Sequence, residues 1–172
     1  MFGERKLEKV EKFKLFWGGE YSQWHMARIY DPKFDMTFNC CEQYMMYCKA
    51  LLFKNGDWAQ RIMESTNPRE QKKMGRQITG FNKEAWEEVA LNVVQRGNYL
   101  KFMQNRTLLE MMMNDVKEGY TTFVEASPFD KIWGIGLGED DPDCLDRNKW
   151  KGLNWLGIAI TNVKDAIIEE LM

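Results

Sequence analysis

Residues 83–104 set the frame for any fold this chain can adopt. Trp86, Val89, Ala90, Val93, Val94, Leu100 and Met103 recur at helical spacing, about 3.6 residues per turn, and form one apolar stripe. Asn82 supplies an N-cap, so the spacing predicts a helix over about Lys83–Gln104, the longest element of the chain. Gly97, in its middle, either weakens that helix or marks the close approach of another element. A second periodic run, Leu156, Ile160, Val163, Ile167 and Leu171, predicts a closing helix. Shorter helices are expected over Cys40–Lys54, over Trp58–Glu64, and from Asn67-Pro68-Arg69-Glu70 to Gly75, where Asn67 is the cap and Pro68 the first helical residue. Thr107-Leu108-Leu109-Glu110 has the capping-box pattern and predicts one more. Strands are expected at Phe13–Trp17, before the Gly18-Gly19 turn, and at Thr121–Ala126; Tyr30-Asp31-Pro32 marks another turn, and Ser127–Trp150 a long loop. The reading is a helix-rich α+β fold with a small β-sheet. At 172 residues it is expected to be one domain, spanning residues 1–172.

Composition removes whole classes of function. With 44% hydrophobic and 29% charged residues the chain is neither disordered nor collagen-like. Twenty-four basic residues against 26 acidic leave a net charge of -2, without the basic excess that non-specific nucleic-acid binding needs. A single histidine, His25, excludes the two-His zincin motif and any three-His metal site within one chain, and leaves His25 as the sole histidine for a Ser-His-Asp triad. Beside Trp24 it reads more simply as a partly buried, satisfied side chain. Cys40, Cys41, Cys48 and Cys144 contain no C-x-x-C pair. The stretch Met1–Lys9 is charged where a signal peptide would be apolar, and no run approaches the roughly 18 apolar residues of a membrane span. A reduced, cytoplasmic protein with no membrane association is expected.

Two places could carry chemistry. Glu42 and Lys49 are seven residues apart on an otherwise apolar helix, so they point within about 20° of each other. They form either a wet helix face or internal ion pair, or a carboxylate and an amine sharing a pocket. In a pocket, burial would raise the glutamate pKa and lower that of the lysine, while their attraction would oppose both shifts. The second place is Glu125-Ala126-Ser127-Pro128-Phe129-Asp130-Lys131-Ile132-Trp133-Gly134-Ile135-Gly136, where acids flank a proline and a tryptophan precedes two close glycines. It reads as an irregular core connection or as a ligand-binding loop, the glycines allowing close approach and Trp133 offering a stacking face. Arg69, Lys72, Lys73 and Arg76 could hold a phosphate or form a solvated helix face. Lys101–Asn105 could line a site or simply end the long helix. The acidic run Glu139–Asp143 lacks the glycine and closing glutamate of a calcium loop and reads as solvated.

In order along the chain, Ser22-Gln23-Trp24, Cys41-Glu42-Gln43-Tyr44-Met45-Met46-Tyr47-Cys48-Lys49-Ala50, Gly75-Arg76, Trp86, Lys101-Phe102 with Gln104-Asn105, the Glu125–Gly136 loop and Gly152-Leu153-Asn154-Trp155-Leu156-Gly157 resemble the NADAR, or YbiA-like, family over roughly residues 16–172. The resemblance implies an N-glycosidase acting on a ribose-bearing base. The substrate would be a phosphoribosylated pyrimidine intermediate of riboflavin biosynthesis, or ADP-ribose on guanine in nucleic acid. It implies Glu42, Lys49 and Asp130 as catalytic residues. Ser22, Gln23, Trp24, Arg76, Glu125, Trp133 and Gly134 would contact substrate. Gln23-Trp24 stands where many relatives have Asn-Phe, which should reshape the pocket mouth. No metal, cofactor or obligate protein partner is expected. Lys49 would form a Schiff base at the ribose C1 with Glu42 or Asp130 moving protons, or a carboxylate would assist direct attack by water. A non-catalytic ADP-ribose-binding module is the alternative from a different class.

Overall fold

The structure, a computed structural model, describes residues 10–172, so the charged stretch Met1–Lys9 lies outside the described residues. In chain order the elements are β1 (Phe13–Phe16), β2 (Ile29–Asp31), β3 (Met36–Phe38), α1 (Cys41–Leu52), α2 (Gly56–Glu64), α3 (Pro68–Gly75), α4 (Lys83–Gln104), α5 (Arg106–Lys117), β4 (Thr122–Glu125) and α6 (Trp155–Leu171). The helix-rich α+β expectation holds, with the strands in two small pairs. β1 runs parallel to β4, and β2 and β3 form an antiparallel hairpin.

The central helix α4 has the expected bounds because its start is fixed locally: the Asn82 side chain accepts the Ala85 N–H at 3.0 Å. It is covered on more than one side. α6 packs along it, with Ile160, Val163 and Ile167 in the same buried cluster as Val94 and Phe102, while α1 crosses at Gly97. A Cβ on Gly97 would lie 2.8 Å from the Tyr44 ring, so the glycine marks a close crossing. Gly75 ends α3 as expected and also works in the same way: a Cβ there would lie 2.0 Å from the Met46 sulfur, so the close packing of α3 on α1 requires it.

Three expectations are corrected. Tyr30 and Asp31 belong to β2, and the turn is Pro32–Asp35, with Asp35 at φ 50°. Both hairpin strands are only three residues long, and their pairing is supported from a distance: the Gln104 side chain bonds both the N–H and the C=O of Tyr30 at 2.7 Å. The Thr107–Glu110 capping box is not used, because α5 starts two residues earlier, with Asn105 rather than Thr107 in the cap position. Asn105, in the cap position, turns its side chain to the Arg28 and Lys101 carbonyls. Within the Ser127–Trp150 loop, two short 3-10 turns, Pro142–Leu145 and Arg147–Lys149, are capped by Asp141 and Asp146. The acidic run therefore has a structural use in part, and among the described residues no cluster of acids, cysteines or histidine could hold a metal ion.

Asp31 is fully buried and anchors the hairpin to α4. It accepts the Arg96 guanidinium through both oxygens at 2.6 and 2.8 Å and the Tyr44 hydroxyl at 2.7 Å. Burial pushes its pKa up, but the hydrogen bonds from Arg96, Tyr44 and the Lys33 N–H outweigh this and hold it at about 2. This contribution is complete above the ordinary aspartate pKa and fades as pH falls toward the folded value. Arg96→Ala should cost about 3 kcal/mol in urea unfolding at pH 7, the low end for stranding a buried charge, because Arg96 is itself partly exposed. An unchanged unfolding midpoint would refute the anchoring role.

Candidate active site

The cavity opens at the C-terminal ends of the parallel strands β1 and β4. Trp17 follows β1 and Glu125 ends β4, so two chain segments leave the sheet side by side at the cavity. Asn154, the residue before α6, sets the edge: its side chain accepts the Glu125 N–H at 2.9 Å and donates to the Phe123 carbonyl at 3.1 Å. The space is about 740 Å³, within the range of small-molecule sites.

Helical periodicity builds two walls. Glu42, Met45, Met46 and Lys49 share one face of α1, and Arg69, Lys72 and Arg76 line the cavity from α3 and its C-cap. Lys49 ties these walls together, donating to the Gly75 carbonyl at 2.9 Å. The third wall is the Ser22-Gln23-Trp24 segment, which α4 holds from beneath. Lys101, fully buried, donates to the Glu20 and Ser22 carbonyls at 2.6 and 3.0 Å, and Asn98 donates to the Gln23 side chain at 2.8 Å. Lys101 thus positions the wall without lining the cavity. Trp24 lies 5.8 Å from the Arg69 guanidinium and 6.0 Å from the Lys72 amine, within cation–π reach.

The fourth wall is the loop after β4, fixed by two side-chain-capped turns. The Ser127 hydroxyl accepts the N–H groups of Phe129 and Asp130, and Asp130 Oδ1 accepts those of Ile132 and Trp133 at 2.9 and 2.8 Å. Trp133 packs edge-on against Trp155 at 5.6 Å. Of the residues singled out in the sequence, Ser22, Gln23, Trp24, Glu42, Lys49, Arg76, Glu125, Asp130 and Trp133 all line the cavity. Gly134 does not. A Cβ there would meet the Asp130 carbonyl and Ser127 Cβ at 2.9 Å, so it allows the loop to close on itself. His25 also lies outside the lining.

Several lining residues carried no specific sequence signal. Trp86 was expected in the core; it packs on the core and also faces the cavity from the first turn of α4. Trp17 and Phe129 are rim residues that only tertiary structure brings together. Arg69 and Lys72, read from the sequence with Lys73 and Arg76 as a basic patch able to hold a phosphate or face solvent, line the cavity with Arg76, while Lys73 does not.

Burial decides the electrostatics. Glu42 is 3% exposed, and desolvation pushes its carboxyl up to about 7; Lys72, Lys49 and Arg76 pull it down, and Asp130 adds to the rise. Glu125 is likewise pushed to about 7 by burial, with Asp130 and Glu42 adding and Lys72 opposing. Among the described residues its Oε2 is buried without a hydrogen-bond partner. Lys49 is lowered by burial, against the attraction of Glu42 and with the help of Arg76. Of the two opposing effects foreseen for Glu42 and Lys49, desolvation wins at both. The cavity therefore offers carboxyl groups that can give and take protons near neutral pH and an amine biased toward its neutral, nucleophilic form.

Fold and cavity together define a helix-rich α+β domain with an acid-and-amine pocket ringed by cations and aromatic rings. The NADAR domain family model matches residues 15–168, and the chain belongs to that family. It is 40% identical over 124 residues to N-glycosidase R617 of Acanthamoeba polyphaga mimivirus, an alignment covering 72% of this chain and 71% of that protein. Protein irg-1 of Caenorhabditis elegans is 37% identical over 134 residues, covering 77% of this chain and 62% of the nematode protein, so the matched part is less than two thirds of that relative. The fold is similar to the NMR structure of the E. coli protein YbiA, with a TM-score of 0.73, 21% identity, and coverage of 96% of this chain and 92% of the other. Among the described residues no helix is long and apolar enough to cross a membrane.

Proposed function

We propose that this chain is an N-glycosidase that hydrolyses the bond between a ribose and a base in a phosphate-bearing substrate. One observation carries the reading: two buried carboxyls raised to about 7 share a cavity with a lysine whose pKa burial lowers. The name of the viral relative supports the same activity. Cleavage leaves the sugar electron-poor at C1 and the departing nitrogen in need of a proton. In the proposed route the ribose ring opens, the neutral Lys49 amine adds to C1, and the C1–N bond to the base breaks as Glu42 or Asp130 protonates the leaving nitrogen. Water then hydrolyses the imine, releasing the sugar aldehyde and returning the free amine. Arg69, Lys72 and Arg76 would hold phosphate through charge-assisted hydrogen bonds. Trp24 and Trp133 line the same space.

Two substrates fit the reading, a phosphoribosylated aminopyrimidine on the riboflavin route and ADP-ribose on guanine of a nucleic-acid strand. The cation-lined wall suits either phosphate-bearing sugar. Incubating the protein with each in parallel and weighing the products should show free base and the corresponding sugar phosphate, or base-restored strand and free ADP-ribose. Intact material from both would reject the reading.

A further inference from the structure

The geometry points to a ring-stacking corner at the cavity mouth, formed by Trp17 and Phe129, that sets specificity for a planar heteroaromatic ring on the substrate; placing it beside the reacting ribose rests on the N-glycosidase reading. Phe129 is 81% exposed and Trp17 56%, yet both line the cavity. Single exposed apolar residues are ordinary, whereas two large rings meeting at a pocket rim form a contiguous apolar patch at a place built for ligand. Their centroids are 5.8 Å apart and their planes tilted by 55°, too close to sandwich a third ring. A ring lying flat on one would meet the other with its edge, an arrangement aromatic pairs favour.

The corner is pre-formed. The Ser127 hydroxyl receives the Phe129 and Asp130 N–H groups, which fixes the backbone that points Phe129 outward. On the other side Gly18 and Gly19 take φ of 78° and 68°, letting the chain turn sharply after Trp17. The buried carboxyls mark the inner end of the cavity and these rings its outer end. Arg69, Lys72 and Arg76 line the same space and favour an anionic group on the ligand. A nucleotide, with its ring and its phosphate, has the chemistry the mouth would recognise.

Calorimetric titration with AMP and with ribose 5-phosphate, which lacks the ring, tests the corner. The wild-type protein should bind AMP more tightly by on the order of 10-fold, as expected for one base–aromatic stack. Phe129→Ala and Trp17→Ala should each remove most of that difference, and Phe129→Tyr should keep it. Both sites are exposed, so the melting temperature should stay within about 2 °C of wild type and exclude unfolding as the cause. Equal affinity for the two probes, absence of any ring-dependent binding, or a difference surviving both alanine variants would overturn the inference. Turnover of a ribosylated base is read separately by mass. Ring-dependent binding without turnover would reject the N-glycosidase reading alone; turnover without it would reject the corner alone.

Discussion

Lys49→Ala is expected to lower turnover of a ribosylated base by at least about 1,000-fold, because it removes the nucleophile of the covalent route. The ammonium of an ordinary surface lysine is the wrong species for attack on C1. Here burial lowers the lysine pKa against the pull of Glu42, and Arg76 adds to the lowering. Lys49→Arg should not restore activity. A guanidinium keeps a positive charge in place but does not lose its proton at working pH, so retention of activity would reassign Lys49 to charge or structure. The structural contribution is small: one hydrogen bond to the Gly75 carbonyl, worth about 1 kcal/mol, and an amine 4.7 Å from the Phe81 ring. Borohydride added during turnover should trap a sugar adduct that peptide mapping places on Lys49. No adduct, or an adduct that survives Lys49→Ala, would leave water as the direct nucleophile. The rate should fall above about 7 as Glu42 loses its acid form.

Why Glu42 and Lys49 could be paired from the sequence, while Trp17 and Phe129 could not, follows from the range of the forces that place them. A seven-residue separation on a helix fixes relative direction whatever the helix packs against, and the Asn67 and Asn82 caps fix helix starts through bonds spanning two or three residues. The same locality failed at α5, where Asn105 closes α4 and binds the Arg28 carbonyl instead of capping α5. The β2–β3 hairpin escaped notice because Arg96 and Gln104, far along the chain, supply its anchoring bonds. Periodicity also could not tell the two outcomes for an apolar position apart. Trp86 obeys the stripe of α4, and a stripe residue near a helix end can face core and cavity at once. For Lys101 the sequence left open whether it lines a site or simply ends the helix; the Glu20 and Ser22 carbonyls that it meets lie 81 and 79 residues away in the chain.

Glu42→Gln should move activity and stability in opposite directions. For activity, the amide keeps the size and loses the transferable proton, so turnover should drop by about 100- to 10,000-fold, the usual contribution of a general acid. For stability, the sign follows from proton uptake on folding. The unfolded glutamate titrates near 4.5 and the folded one near 7, so between these values the native state holds a proton that the unfolded state has lost. Stability therefore falls as pH rises through that window and stays reduced above it. For an isolated group this shift amounts to roughly 3 kcal/mol, and less where Glu125 titrates with it, since each carboxylate raises the pKa of the other. Glutamine carries no charge to desolvate. The variant should gain little at pH 4.5, where the wild-type side chain is protonated when folded and still half protonated when unfolded, and should be more stable than wild type by about 1–3 kcal/mol at pH 8. Loss of attraction to Lys72, Lys49 and Arg76 works the other way, but the raised pKa itself means that desolvation exceeds it. Urea unfolding at the two pH values, with turnover measured on the same samples, decides the matter. A variant no more stable than wild type at pH 8 would mean that the cations fully compensate the buried carboxylate, leaving Glu42 ionised at neutral pH and unable to serve as the acid.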